Sequence, residues 1–139
     1  MRRMSKEALT AFLAEPFNAV LATINDDGTP QQSPVSTYYD GEFFYFRSDP
    51  DALKLRNLRR DPRVSLCVQD PGPPERYLTV RGRSEFFTGD WLSIYRAMRQ
   101  KYGVEPEEIE RQVHLENPRI YVRITPDRIL GADFSDEYE

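Results

Sequence analysis

Apolar positions along the chain switch between helical and alternating spacing, and the switches mark out the elements. Residues 5–14 (SKEALTAFLA) place Leu9, Phe12 and Leu13 on one helical face, with Ser5 at the N-cap position and Pro16 ending the run. Residues 17–25 (FNAVLATIN) are apolar on both faces apart from Asn18 and Thr23, the pattern of a strand buried on both sides. Asp26-Asp27-Gly28-Thr29 predicts a hairpin turn, and 30–39 (PQQSPVSTYY) its return strand. Pro30 and Pro34 each remove a ladder donor, so this strand is expected at an edge or bulged. After a turn at Asp40-Gly41, residues 42–48 alternate Phe43, Tyr45 and Arg47 with Phe44, Phe46 and Ser48.

The second half reads in the same way. A helix is predicted over 50–60, with Asp49 as its cap, Pro50 at the first helical position and Asp61-Pro62 as its stop. Residues 63–69 form a strand, 70–75 (DPGPPE) a loop, and 76–87 a long strand in which Gly82 signals a bulge or a close backbone approach. A helix over 89–102 lines up Trp91, Ile94, Tyr95 and Met98 on its apolar side and ends at Gly103. A charged helical segment at 105–116 precedes strands at 118–125 and 127–134, and the tail SDEYE is expected to fray. No regular strand–helix–strand alternation is present. The pattern therefore predicts a mainly β protein, an antiparallel barrel with peripheral helices, as a single domain over 1–139.

Composition narrows the chemistry. At 139 residues and 39% hydrophobic the chain suits one domain, and a net charge of −4 argues against nucleic acid as a partner. The start MRRMSKEALTAFL has no long apolar core or cleavage site, and no stretch reaches membrane-spanning length. The expectation is a soluble cytoplasmic protein with no membrane partner. The single cysteine, Cys67, excludes an internal disulfide and reads as a buried small hydrophobe among Val64, Leu66 and Val68. One histidine, His114, leaves no His-rich metal site and no two-Cys zinc site within one chain, and no G-x-S-x-G elbow occurs. If the protein is an enzyme, a bound cofactor carries the reaction.

Residues 47–63 hold Arg47, Lys54, Arg56, Arg59, Arg60 and Arg63 in an otherwise acidic protein. Helical spacing puts Lys54 and Asn57 on one flank, and Lys54 with Arg47 beside Ser48 would hold a phosphate as point charge and planar fork. The same charges also suit a solvated helix face, and Asp49 and Asp51 oppose an anion at the helix start. Gln31, Gln32 and Ser33 offer donors and acceptors to the edge of a heteroaromatic ring, or simply face water from an edge strand. Tyr38, Tyr39, Phe43, Phe44, Tyr45 and Phe46 could wall a flat ligand or build core and interface.

The runs AVLATINDDGTPQQSPV, YYDGEFFYFRS and ALKLRNLRRDPRVSLCV resemble the pyridoxamine 5′-phosphate oxidase-like family of FMN-binding split β-barrels. Within it they are most similar to the actinobacterial branch that uses the deazaflavin coenzyme F420. The K-x-R-N-L-x-R-D-P-R-V-S-L run at 54–66 is the most specific piece, and PRIYVRITPDRILG supports it. The likeness covers nearly the whole chain, although 89–116 matches only in kind.

The resemblance implies a split, antiparallel Greek-key barrel acting as a homodimer, with cofactor sites in grooves between subunits. It implies that Lys54 binds the cofactor phosphate beside Arg47 and Ser48, and that Arg56 and Asn57 support it. Gln31, Gln32 and Ser33 would run along the ring, and partner residues around Arg76–Thr79 would close the pocket. The implied activity is F420-dependent hydride transfer to a small conjugated or heteroaromatic acceptor. The alternatives are an FMN-dependent oxidase or reductase, or a non-catalytic carrier of flavin, deazaflavin or haem. No catalytic residue is assigned, although Tyr38, Tyr39 and Lys54 are candidate proton donors. Two departures bear on this. Asp51-Ala52-Leu53 stands where relatives carry a second basic residue, and the ending ILGADFSDEYE lacks the substrate motif of true pyridoxine-phosphate oxidases, so vitamin B6 oxidation is not expected.

Overall fold

Ser5 opens the first helix as predicted: its hydroxyl accepts from the Ala8 N–H at 3.1 Å, and α1 runs Lys6–Ala14 after a short strand β1, Arg2–Arg3. The computed structural model describes residues 1–73 and 75–135, so the end of the predicted acidic tail, 136–139, lies outside the described residues. There follow β2 (Ala19–Ile24), β3 (Pro30–Val35), β4 (Tyr38–Tyr39), β5 (Phe44–Ser48) and α2 (Leu53–Arg60). The chain continues through β6 (Arg63–Gln69), β7 (Arg76–Phe86), α3 (Trp91–Lys101), α4 (Pro106–Arg111), a 3-10 turn at Val113–Leu115, and β8 (Ile120–Asp133).

The strands make one antiparallel sheet in the order β3-β2-β6-β7-β8-β5-β4, with β1 paired to the end of β8. This sheet curls into a split barrel. Its interior collects Leu21 of β2, Val35 of β3, Phe44 and Phe46 of β5, Leu66 of β6, Val80 of β7 and Val122 of β8, closed by Phe12 of α1 and by Leu55 and Leu58 of α2. A second apolar layer, with Tyr95 and Met98 at its centre, lies between α3, α4 and the outer side of β5 and β8.

Several expectations change. The predicted return strand 30–39 is two strands at opposite edges of the sheet, because at Ser36–Thr37 the chain leaves β2 and crosses to β5. At this crossing the end of α3 supplies the partners of the Thr37 peptide groups: Thr37 N–H donates to the Tyr102 hydroxyl at 3.0 Å and Lys101 Nζ donates to the Thr37 carbonyl at 2.8 Å. The edge position read from Pro30 and Pro34 holds, since among the described residues β3 pairs only with β2.

Strand β2 is buried on one face and not both; Val20 is 42% exposed and Cys67, its cross-strand partner on β6, is exposed as well. The helix predicted from residue 50 starts at Leu53, because Asp49 closes a turn through its carbonyl to Ala52 N–H and offers no side-chain cap. The segment 105–116 divides into α4 and the 3-10 turn. The two C-terminal strands are one, bent where Pro126 lacks a donor: the register steps from Arg81↔Arg128 to Gly82↔Pro126, leaving Asp127 as the extra residue. Gly82 sits at that step because a Cβ there would overlap the Thr125 carbonyl oxygen.

Candidate functional site

Helix α2 lies across one end of the barrel and is pinned by a buried amide. Asn57 is 1% exposed; its Nδ2 donates to Thr23 Oγ1 and to Asn25 Oδ1, both at 3.0 Å, and its Oδ1 accepts from Arg60 at 3.2 Å. The Asn57 amide is therefore spent on holding the helix to the end of β2. One turn earlier, the half-buried Lys54 extends to β3, where Nζ lies 3.5 Å from Ser33 Oγ. Two residues that the sequence placed in separate motifs, 21 positions apart, meet here.

The electrostatics of Lys54 favour an anion. Burial pushes its ammonium pKa down and the charge of Asp49 pushes it back up, while no carboxylate among the described residues lies within ion-pair distance of Nζ. A phosphoryl group would supply the missing counter-charge, so the residues present fit a phosphate-bearing cofactor. Strand alternation divides the glutamines. Gln31 and Ser33 share the inward face with Thr23 and Leu21 opposite, whereas the exposed Gln32 faces outward beside Ala22. Ser48 is buried and donates to the Asp49 carbonyl at 3.0 Å.

The basic cluster of 47–63 is not one patch. Arg47 turns to the α3 side of the sheet, where its guanidinium pairs with Glu116 and stands 5.9 Å from the Tyr95 ring. The expected convergence of Arg47 with Lys54 is therefore not found. Arg56 and Arg60 line an open cleft of about 730 Å³ with Asn25, Asp26 and Asp27, whose carboxylates weaken that cleft as an anion site. Arg59 lies over the Phe86 ring, 5.4 Å from its centroid, and Arg63 pairs with Asp61 at 2.7 Å. Of the aromatic run, Phe44 and Phe46 fill the barrel core and Tyr45 joins the α3 layer.

Among the described residues, no helix contributes to the lining of the groove on the outer face of β2, β6, β7 and β8. Val20, Cys67, Thr79 and Leu130 stand in register across this face, beside the groove, which measures about 410 Å³ and is lined by Ser65, Arg81 and Arg128. Sequence reasoning missed Glu116, Tyr121, Arg119 and the exposed Phe86, which surround a cleft of about 590 Å³ together with Trp91, expected on the buried side of its helix but 38% exposed. Nothing local marks Glu116 as the partner of a strand 69 residues earlier. Among the described residues, no three His, Cys, Asp or Glu side chains gather as metal ligands, and no helix is long and apolar enough to cross a membrane.

Comparison with known proteins agrees with this fold. The profile of the family described as "Pyridoxamine 5'-phosphate oxidase" matches residues 5–132. A pyridoxine/pyridoxamine 5′-phosphate oxidase of Burkholderia lata is 34% identical over 98 residues, 70% of this chain and 45% of the relative. The chain spans about half the length of the curated relatives it matches. Among solved structures, a conserved hypothetical protein of Mycobacterium tuberculosis superposes with a TM-score of 0.80 at 28% identity, covering 94% of this chain and 85% of that one. A protein named F420 reductase superposes with a TM-score of 0.69, also at 28% identity, covering 86% of this chain and 93% of that one.

Proposed function

The chain belongs to the pyridoxamine 5′-phosphate oxidase family, and on that premise we propose that it is a deazaflavin (coenzyme F420)-dependent oxidoreductase acting as a homodimer. The observation that carries this reading is the Lys54 ammonium: it is partly desolvated, lacks a carboxylate in ion-pair reach among the described residues, and stands beside Ser33 on a helix pinned by Asn57. The likeness to the F420 reductase supports the deazaflavin over other flavins.

In this reading Lys54 and Ser33 hold the cofactor phosphate, and Gln31, on the same inward face as Ser33, offers its amide to the ring edge. Asn57 positions Lys54 through the helix. Arg47, already neutralised by Glu116, shapes the barrel wall and does not meet the phosphate. Bound deazaflavin would supply a hydride from carbon to a conjugated acceptor. The outer face, with Val20, Cys67 and Leu130 in one line, suits a second copy of the chain, whose approach would shield the groove from water.

The test is a parallel titration of the protein and of Lys54→Ala with coenzyme F420 and with FMN, read by cofactor fluorescence, with mass measured by light scattering. The expected result is a dimer binding one F420 per subunit more tightly than FMN, with Lys54→Ala weakening F420 by about tenfold or more. Preference for FMN would move the protein to the FMN-dependent oxidase or reductase reading, which the oxidase-named relatives favour. Binding of neither, or unchanged binding in Lys54→Ala, would sink the proposed site.

A further inference from the structure

The cleft of about 590 Å³ opens where β7 ends and β8 begins, between the start of α3 and the last turn of α2, and neither Lys54 nor Ser33 lines it. Its walls are aromatic. Phe86 and Trp91 are each 38% exposed, and the Trp91 and Tyr121 ring centroids are 5.9 Å apart. Trp91 is one helical turn from Tyr95, which is fully buried, yet the larger ring is left facing solvent. A ring left open beside a space of small-ligand size is a stacking surface without an occupant.

The polar side of the cleft is basic. Glu116 is the one carboxylate that lines it, and its oxygens are already engaged by the Arg47 guanidinium and by the Tyr121 hydroxyl, which donates at 2.5 Å. Arg119 Nε stands 3.8 Å from the same carboxylate, at the limit of an ion pair. Arg59 lies over the Phe86 ring and pairs with no carboxylate among the described residues. The cleft thus presents two guanidinium groups, Arg59 and Arg119, around a neutralised carboxylate and between aromatic rings, in a protein whose net charge is −4.

We propose that this cleft is a binding site for a planar conjugated carboxylate, the ring lying against Phe86 and Trp91 and the carboxylate meeting Arg59 and Arg119. A guanidinium matches a carboxylate with parallel N–H donors, and the flanking rings exclude water from that contact. The inference does not rest on the cofactor reading and stands whether or not Lys54 binds a phosphate.

Trp91 is the only tryptophan in the chain and stands in the wall of this cleft, so its fluorescence responds to a ligand bound there. The experiment titrates the protein with cinnamate and with its neutral analogue cinnamamide, and repeats the cinnamate series on Arg59→Gln, Arg119→Gln and Lys54→Ala. The expected result is a saturable change with cinnamate, about tenfold weaker binding of cinnamamide, a similar loss in each arginine variant and none in Lys54→Ala. The comparison of the two ligands on the unaltered protein keeps the test decisive if an arginine variant folds poorly. The proposal is overturned by equal affinity for acid and amide, by the absence of a saturable change, by unweakened binding in both arginine variants, or by loss of binding in Lys54→Ala. That last result would assign cinnamate to the Lys54 groove.

Discussion

The guanidinium of Arg47, on β5, donates to the carboxylate of Glu116, which lies 69 residues later in the segment leading to β8, and both side chains are largely buried. The pair ties the outer side of the barrel to the segment that follows α4, and the Tyr121 hydroxyl donates to the other Glu116 oxygen. Burial, and then the hydrogen bond to Glu116, holds the Tyr121 phenol well above its ordinary pKa. Glu116→Gln keeps the shape but removes the counter-charge of Arg47. It is expected to cost about 3 kcal/mol, the scale for stripping one partner from a buried pair, read as a lower midpoint in urea. An Arg47→Met, Glu116→Leu, Tyr121→Phe triple variant, which also removes the hydroxyl that donates to Glu116, should recover most of that loss. If Glu116→Gln is neutral, the pair does not stabilise the fold.

The same pair shows where the sequence stops being informative. Element type was legible because periodicity is local: Ser5 caps α1, Leu55 and Leu58 bury one side of α2, and Gly82 marks the bulge. Which face of a strand is covered was not, because Val20 and Cys67 are apolar and yet lie on an open face. The break at Ser36–Thr37 was invisible for another reason, since the groups that make it affordable, Lys101 and Tyr102, come from the far end of α3. In the candidate site, Lys54 and Ser33 were both named from the sequence and do meet. Arg47 was grouped with them because it is close in sequence, and its true partner was out of sight.

Asn57 supplies the second prediction. Its amide makes two 3.0 Å hydrogen bonds to the end of β2 from a buried position. Asn57→Ala leaves the Thr23 hydroxyl and the Asn25 carboxamide without that partner, and should lower stability by about 2 kcal/mol. Because Lys54 rides on the same helix, the variant should also weaken cofactor binding, although Asn57 makes no direct contact in the proposed site. Thermal unfolding and the F420 titration separate the two effects. A stable variant that still binds normally would remove Asn57 from any positioning role.

Gly82 gives the third. A methyl group there would run into the Thr125 carbonyl oxygen and approach Ile124, both fixed by the β7–β8 ladder, whereas one at Gly72 would meet nothing within 4 Å. Gly82→Ala should destabilise by roughly 1–3 kcal/mol through backbone displacement, and Gly72→Ala should leave stability nearly unchanged. Melting temperatures of the two variants, compared side by side, decide this. Equal melting temperatures would show that the bulge can absorb the added methyl group.

Lys101 gives a prediction whose sign can be worked out. Its side chain is half-buried, and its ammonium donates to the Thr37 carbonyl at 2.8 Å and lies 5.1 Å from the Tyr102 ring centre; burial pulls its pKa from 10.5 down to about 8. In the folded protein the proton is lost near pH 8, whereas the unfolded chain keeps it to about 10.5. Between those values the unfolded state binds more protons, so this lysine makes stability rise with pH; below about pH 8 both states are charged and the burial penalty is at its full size. Lys101→Met removes the titration while keeping most of the bulk. The melting temperature of the unaltered protein, relative to that of Lys101→Met, should therefore climb from about pH 7 to about pH 10. Taking the difference cancels tyrosine ionisation common to both proteins, and it also separates the constant loss of the Thr37 hydrogen bond from the part that varies with pH. A flat difference across that range would mean that Lys101 keeps its proton at the crossing between β3 and β4.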